Sequence, residues 1–158
     1  MHFWDLQLAD HTATCLRTSE AELSYKQVAS LCDEIFPEAP RSLLLMLCDR
    51  DAETVLGYLG ALRTGNVPVL LPGDVSSASL KQFVEIYCPR YIWLSQDRAK
   101  EVSSIVGGCG QSTKLFGYVL LELAPTCDAP SLHEDLALLM PTSGSTGDPK
   151  LVRLSYGN

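Results

Sequence analysis

No apolar run in this 158-residue chain approaches the roughly 18 residues that a membrane-spanning helix needs; Leu43 to Leu47 is far too short. The first residues, Met1-His2-Phe3-Trp4-Asp5, lack the basic-then-apolar pattern of a secretory signal. Basic side chains are scarce. There are 12 Lys and Arg against 19 Asp and Glu, a formal net charge of -7. That balance argues against broad electrostatic binding to nucleic acid or to anionic lipid. No two cysteines form a C-x-x-C pair: Cys15, Cys32, Cys48, Cys88, Cys109 and Cys127 are scattered along the chain. Without a leader or a small Cys-dense scaffold, free thiols in a reducing cytoplasm are expected. Cys48 and Cys88 adjoin apolar segments and read as small buried hydrophobes. His2, His11 and His133 are isolated, and His133-Glu134 lacks the second His of H-E-x-x-H, so no metal site is expected. There is no internal repeat, charge block or low-complexity tract.

What is present is the composition of one folded domain, with 46% hydrophobic and 20% charged residues. Thr12 to Arg17 and Leu23-Ser24 read as an opening hairpin. Ser24 can cap a helix in which Tyr25, Val28, Cys32, Ile35 and Phe36 recur at helical spacing, closed by Pro37. Ser42 to Cys48 is a continuous apolar run, the mark of a strand covered on both faces. Asp51 can cap a helix whose core stripe is Val55, Leu56, Leu59 and Leu62, with Gly65 ending it in a left-handed turn. Val67 to Leu71 is a second apolar strand. A helix capped by Ser76 or Ser77 carries Leu80, Phe83, Val84 and Tyr87, and Tyr91 to Leu94 is a third strand. Asp97 to Val106 reads as a helix, 107–110 as a loop, Lys114 to Leu121 as a fourth strand and Leu136 to Met140 as a fifth. Trp4 and Trp93 read as packing residues, and His133, Glu134 and Asp135 as a solvated lead into the last of these strands. Alternating strands and helices predict an α/β layered fold, a largely parallel sheet with flanking helices and right-handed crossovers.

After Leu136 to Met140 the sequence reads Pro141-Thr142-Ser143-Gly144-Ser145-Thr146-Gly147-Asp148-Pro149-Lys150. Glycines permit backbone conformations closed to other residues, and small side chains let successive N–H groups close around an anion. Four hydroxyls add donors and Lys150 a full positive charge, which together suit a polyphosphate. Such residues also make ordinary surface loops. This one follows a buried-type strand and ends in Lys before a second apolar strand, Leu151 to Leu154. Neither G-x-x-x-x-G-K-[ST] nor G-x-S-x-G is matched, because Lys150 follows Pro149 and Ser145 follows Gly144 directly.

Thr142 to Lys150 closely resembles the T-S-G-[ST]-T-G-x-P-K signature of the acyl-adenylate-forming superfamily, which includes acyl-CoA synthetases, adenylation domains of nonribosomal peptide synthetases, and luciferases. The resemblance covers most of the chain. Leu23-Ser24-Tyr25 resembles the early L-[ST]-Y helix. Gly57 to Gly65 resembles the Y-L-G-A-L-x-A-G helix. Leu154-Ser155-Tyr156-Gly157-Asn158 resembles L-[ST]-H-x-N, with Tyr156 in place of the usual His. Leu151 stands where the family usually has Gly.

The resemblance implies residues 1–158 as the N-terminal portion of an adenylation domain, ending just after the phosphate-binding loop at 142–150. It implies attack of a carboxylate on MgATP to give an acyl-adenylate and pyrophosphate. The acyl group then passes to a thiol, of CoA or of carrier-protein phosphopantetheine. Holding the ATP phosphates falls to Thr142, Ser143, Gly144, Ser145, Thr146, Gly147 and Lys150. No catalytic residue is assigned, because the family's aromatic-[ST]-E element for adenine and Mg2+, its ribose Asp and its C-terminal Lys lie downstream of the signature. The chain alone is therefore expected to be inactive, and to self-associate through apolar surface that later segments would cover. The competing expectation is a non-catalytic short protein that keeps the fold and binds nucleotide or a partner chain.

Overall fold

The computed structural model describes residues 3–6, 12–18, 20–107, 109–124, 130–142 and 150–157. Strands β1 (Thr14–Arg17) and β2 (Glu22–Ser24) form the opening antiparallel hairpin. Ser24 then caps α1 (Tyr25–Ile35) through a reciprocal pair: Gln27 N–H donates to Ser24 Oγ at 3.4 Å, and Ser24 N–H donates to Gln27 Oε1 at 2.9 Å. Next come β3 (Leu43–Cys48), α2 (Ala52–Arg63), β4 (Val67–Pro72), α3 (Ser77–Tyr87), β5 (Tyr91–Ser95) and α4 (Gln96–Val106). The main chain continues through β6 (Cys109–Leu115), β7 (Tyr118–Leu123), β8 (Leu136–Pro141) and β9 (Leu151–Ser155).

Seven strands form one sheet in the order β6-β7-β5-β3-β4-β8-β9. The central four, β5-β3-β4-β8, are parallel, and antiparallel pairs flank them. Alternation along β3 divides the core. Leu44 and Met46 face α1 and α2 with Val28, Cys32, Ile35, Leu56, Tyr91 and Trp93. Leu45 and Leu47 face α3 and α4 with Val69, Leu71, Leu80, Phe83 and Val102. This is the expected layered α/β fold with a largely parallel sheet.

Close contact between α2 and the sheet depends on a glycine. A Cβ at Gly57 would lie 2.3 Å from Trp93 Nε1, and that indole N–H donates to the Glu53 carbonyl at 3.1 Å. The inner face of α2 is therefore set by Gly57, Gly60 and Ala61 as well as by Leu56, Leu59 and Leu62. The helix accordingly turns Val55 outward, 41% exposed, which corrects its placement in the core stripe. Gly65 does take the expected left-handed conformation, φ 73°.

Three further expectations are corrected. Lys114 to Leu121 is not one strand: it bends at Phe116-Gly117, φ 46° and 75°, and Leu115 pairs with Tyr118 across the turn. Positive φ at both central residues is what a two-residue hairpin turn requires. Cys109 and Gly110 belong to β6 rather than to a loop, because β7 offers them a ladder partner. Finally, Cys88 is disulfide-bonded, while Cys15, Cys32 and Cys48 are free. Cys88 sits half-buried at the left-handed cap of α3, not within its apolar face, so its sulfur is available to bond. Among the described residues no helix is long and apolar enough to cross a membrane.

Candidate functional site

Because β3, β4, β5 and β8 are parallel, they end at one edge of the sheet, at Cys48, Pro72, Ser95 and Pro141. Helices α2, α3 and α4 each follow a parallel strand, so their N-termini lie at that edge, capped by Asp51, Ser76 and Ser95. Unpaired N–H groups and positive dipole ends make such an edge receptive to anions. It is also where ligands bind in open α/β sheets.

The loop 142–150 leaves from this edge. Its two described ends are tied together: Thr142 N–H donates to the Lys150 carbonyl at 3.0 Å, and the Thr142 hydroxyl reaches the same oxygen at 3.4 Å. Pro141 pairs with Leu151 just below. The β8–β9 ribbon thus holds the two ends of the loop side by side. Thr142 and Lys150 are both exposed at its mouth. Ser143, Gly144, Ser145, Thr146 and Gly147 lie outside the described residues. Leu151, where the resembled family has Gly, is a half-buried β9 residue packed against the α3–α4 side of the core.

The neighbouring turn after β4 is unusually constrained. Gly73 is buried, donates its N–H to the Cys48 carbonyl at 2.9 Å, and a Cβ there would lie 2.1 Å from Asp49 Oδ1 and 3.1 Å from the Cys48 carbonyl oxygen. Arg98 reaches over from α4. One guanidinium nitrogen donates to the Gly73 carbonyl, and the other donates to the Val75 carbonyl at 3.1 Å. Glu101 accepts from Arg98 at 3.4 Å and from the Ser77 hydroxyl at 2.8 Å. The Ser77 bond, and then Arg98, hold the Glu101 carboxyl below its ordinary range.

Beyond β3 the Tyr118 hydroxyl lies 2.6 Å from Asp51 Oδ2, 3.1 Å from Asp49 Oδ2 and 3.4 Å from Thr54 Oγ1. Burial, reinforced by the Asp51 carboxylate, pushes the Tyr118 phenol up, so it stays protonated at neutral pH. The cluster also caps α2, with Thr54 N–H donating to Asp51 Oδ1 at 2.9 Å. Among the described residues no group of three or more His, Cys, Asp or Glu is placed to hold a metal.

Tyr156 lies at the other end of β8, where its N–H donates to the Asp135 carbonyl at 3.0 Å. At about 3.3 Å per strand residue this is roughly 20 Å from Thr142. Its ring packs on Trp4, centroids 5.2 Å apart, under the Arg41 guanidinium at 6.0 Å. Trp4, Tyr58, Leu138, Leu154 and Tyr156 line a shallow cavity there of about 180 Å3. The change from His to Tyr therefore does not touch the loop. Arg98, Gly73 and Tyr118 were not singled out by sequence. Each acts through a partner distant in the chain, and only the Arg98-to-Glu101 spacing is a local signal.

The fold and this edge define a layered α/β domain with its candidate site at the carboxyl ends of the parallel strands. The chain belongs to the AMP-binding enzyme family, which it matches over residues 7–158. It is 31% identical over 127 residues to a 3-hydroxybenzoate–CoA ligase of Aromatoleum sp. (strain CIB), a match covering 72% of this chain and 24% of the relative. It is 27% identical over 164 residues to a nonribosomal peptide synthetase of Gibberella zeae, covering 93% of this chain and 2% of that one. The fold superposes on an anthranilate CoA ligase solved with anthranoyl-AMP, with a TM-score of 0.68 at 17% identity, covering 96% of this chain and 34% of that one. The chain thus spans about a quarter of the curated ligase it matches.

Proposed function

We propose that this chain is the N-terminal portion of an ATP-dependent ligase that activates a carboxylic acid as its acyl-adenylate, and that loop 142–150 holds the ATP phosphates. The observation that carries this reading is the loop closed by Thr142 and Lys150 at the carboxyl edge of the parallel sheet, in a chain of the AMP-binding family. Thr142, Ser143, Gly144, Ser145, Thr146 and Gly147 would supply hydroxyl and backbone donors to the phosphates, and Lys150 the cation. These donors fit a polyphosphate; Mg2+ would arrive with ATP rather than on a site formed by the described side chains. Donors fixed before reaction would stabilise the negative charge on departing pyrophosphate.

The carboxylic acid and a thiol acceptor, CoA or a carrier-protein phosphopantetheine, are partners of the longer polypeptide. In isolation the 158 residues are inactive. They self-associate through the β8–β9 ribbon, where Met140 and Val152 pair across the strands at 42% and 46% exposure. Exchange of labelled pyrophosphate into ATP, driven by a panel of aryl, fatty and amino acids, tests the reading. Exchange is expected from the polypeptide carrying the remaining family elements and not from these 158 residues. No acid-dependent exchange by the longer polypeptide, or exchange by the short one, would contradict it.

A further inference from the structure

On the sheet face that α1 and α2 cover, the cover stops short of β8. Leu44 and Met46 of β3, and Tyr91 and Trp93 of β5, are fully buried beneath these helices. Leu70 of β4 is only half-buried. Beyond it, Leu138 pairs with Leu154 and Met140 with Val152. Cross-strand partners and residues two apart share a face, so these four side chains form one apolar strip. Leu138 and Leu154 line the cavity together with Tyr58 of α2, which sets the strip on the α1–α2 side. Leu139 and Leu151, of opposite parity, pack into the α3–α4 side of the core. Among the described residues no helix covers Met140 and Val152, which stay 42% and 46% exposed.

The strip dictates what fits on it. Its two strands span about 10 Å across and about 20 Å along, the footprint of one helix of about 13 residues. The β8–β9 ladder uses the backbone groups between the strands, and the apolar side chains offer no hydrogen bond. An occupant therefore has to satisfy its own backbone, which a helix does and an irregular segment does not. A second copy is a poor match in size, since a stable interface between copies takes about 20–30 residues a side. The cavity of about 180 Å3 at the foot of the strip has room for one bulky apolar side chain. The main chain leaves β9 at Tyr156 and Gly157, beside that cavity.

We propose that this strip is the seat of a helix that follows residue 158 in the longer polypeptide. The helix lies beside α2, its apolar side on Leu138, Met140, Val152 and Leu154, with one bulky apolar side chain in the cavity. In the isolated chain the same strip is left free for self-association. The proposal rests on the reading of these 158 residues as part of a longer polypeptide.

The test is methionine oxidation by dilute peroxide, followed by mass spectrometry, in the 158-residue chain and in the longer polypeptide at several protein concentrations. Met46, fully buried, is the slow internal control. In the longer polypeptide Met140 is expected to oxidise at least about tenfold more slowly than in the dilute short chain, whatever the concentration. Equal rates overturn the proposal. So does protection that appears only as concentration rises, the mark of a second copy. A photo-crosslinker carried on Val152→Cys in the longer polypeptide identifies the occupant. Crosslinks are expected beyond residue 158, at positions three or four apart. Crosslinks to another copy, confined to residues before 158, or falling on every second residue overturn the proposal. Acid-dependent pyrophosphate exchange is a separate readout. Protection of Met140 without exchange removes the ligase reading and keeps this one, and exchange without protection does the reverse.

Discussion

Gly57→Ala should destabilise the chain although alanine is the better helix former. In a helix interior the exchange alone favours alanine by about 1 kcal/mol. Here the new methyl would lie 2.3, 2.4 and 2.8 Å from Trp93 Nε1, Cδ1 and Cε2. The indole has nowhere to go: it is fully buried, its ring stands 5.5 Å from that of Tyr118, and its N–H is bound to the Glu53 carbonyl. Overpacking of a filled core costs about 1–3 kcal/mol, and a contact this short belongs at the upper end. Displacing the indole also weakens a buried hydrogen bond worth about 1 kcal/mol. The net loss is about 3 kcal/mol, and in a chain of this size a melting temperature lower by roughly 10 °C. Urea unfolding followed by tryptophan fluorescence measures it, and Val55→Ala, on the outer side of the same helix, should change stability by less than about 0.5 kcal/mol. A Gly57→Ala chain as stable as wild type would refute the claimed contact between α2 and Trp93.

Stability should also decline in alkali. Burial pushes the Cys32 thiol up to about 12 and the Cys48 thiol up to about 11, and burial with the Asp51 carboxylate raises the Tyr118 phenol. In the unfolded chain these groups ionise near their ordinary values, about 8.5 for cysteine and about 10 for tyrosine. Their contribution is therefore complete below about pH 8.5 and is lost as the pH rises toward the folded values. A urea midpoint unchanged between neutral pH and about pH 10 would contradict this. Val152→Lys places a charge on the exposed β8–β9 face, so the isolated chain should shift toward monomer in light scattering. A wild-type chain already fully monomeric would remove that surface as a self-association site.

Much of the fold was legible because single residues carry unambiguous signals. The apolar run of β3 declares a strand covered on both faces, and Ser24, Asp51 and Ser76 each mark a helix start through a side-chain oxygen that does accept an N–H. The β6–β7 hairpin was missed because its turn uses Phe116, a residue type that rarely takes positive φ and so gives no turn signal. Val55 could not be placed from its apolar identity, because Gly57 and Gly60 decide which side of α2 meets its neighbours. At the site, the phosphate role proposed for 142–150 comes from composition and order, since anion binding depends on local backbone and small side chains. Its surroundings could not be read that way. Arg98 with Gly73, and Tyr118 with Asp49 and Asp51, come together only through the sheet order.

The most direct test of loop 142–150 as the phosphate holder is MgATP binding by the wild-type chain and by Lys150→Ala, with circular dichroism showing both folded. Wild type should bind MgATP, weakly if adenine and ribose contacts are made by the longer polypeptide. Lys150→Ala should lose at least about tenfold, because a charge-assisted contact to phosphate is worth about 1.5–3 kcal/mol. Equal binding by the two proteins would contradict the assignment of the phosphates to this loop.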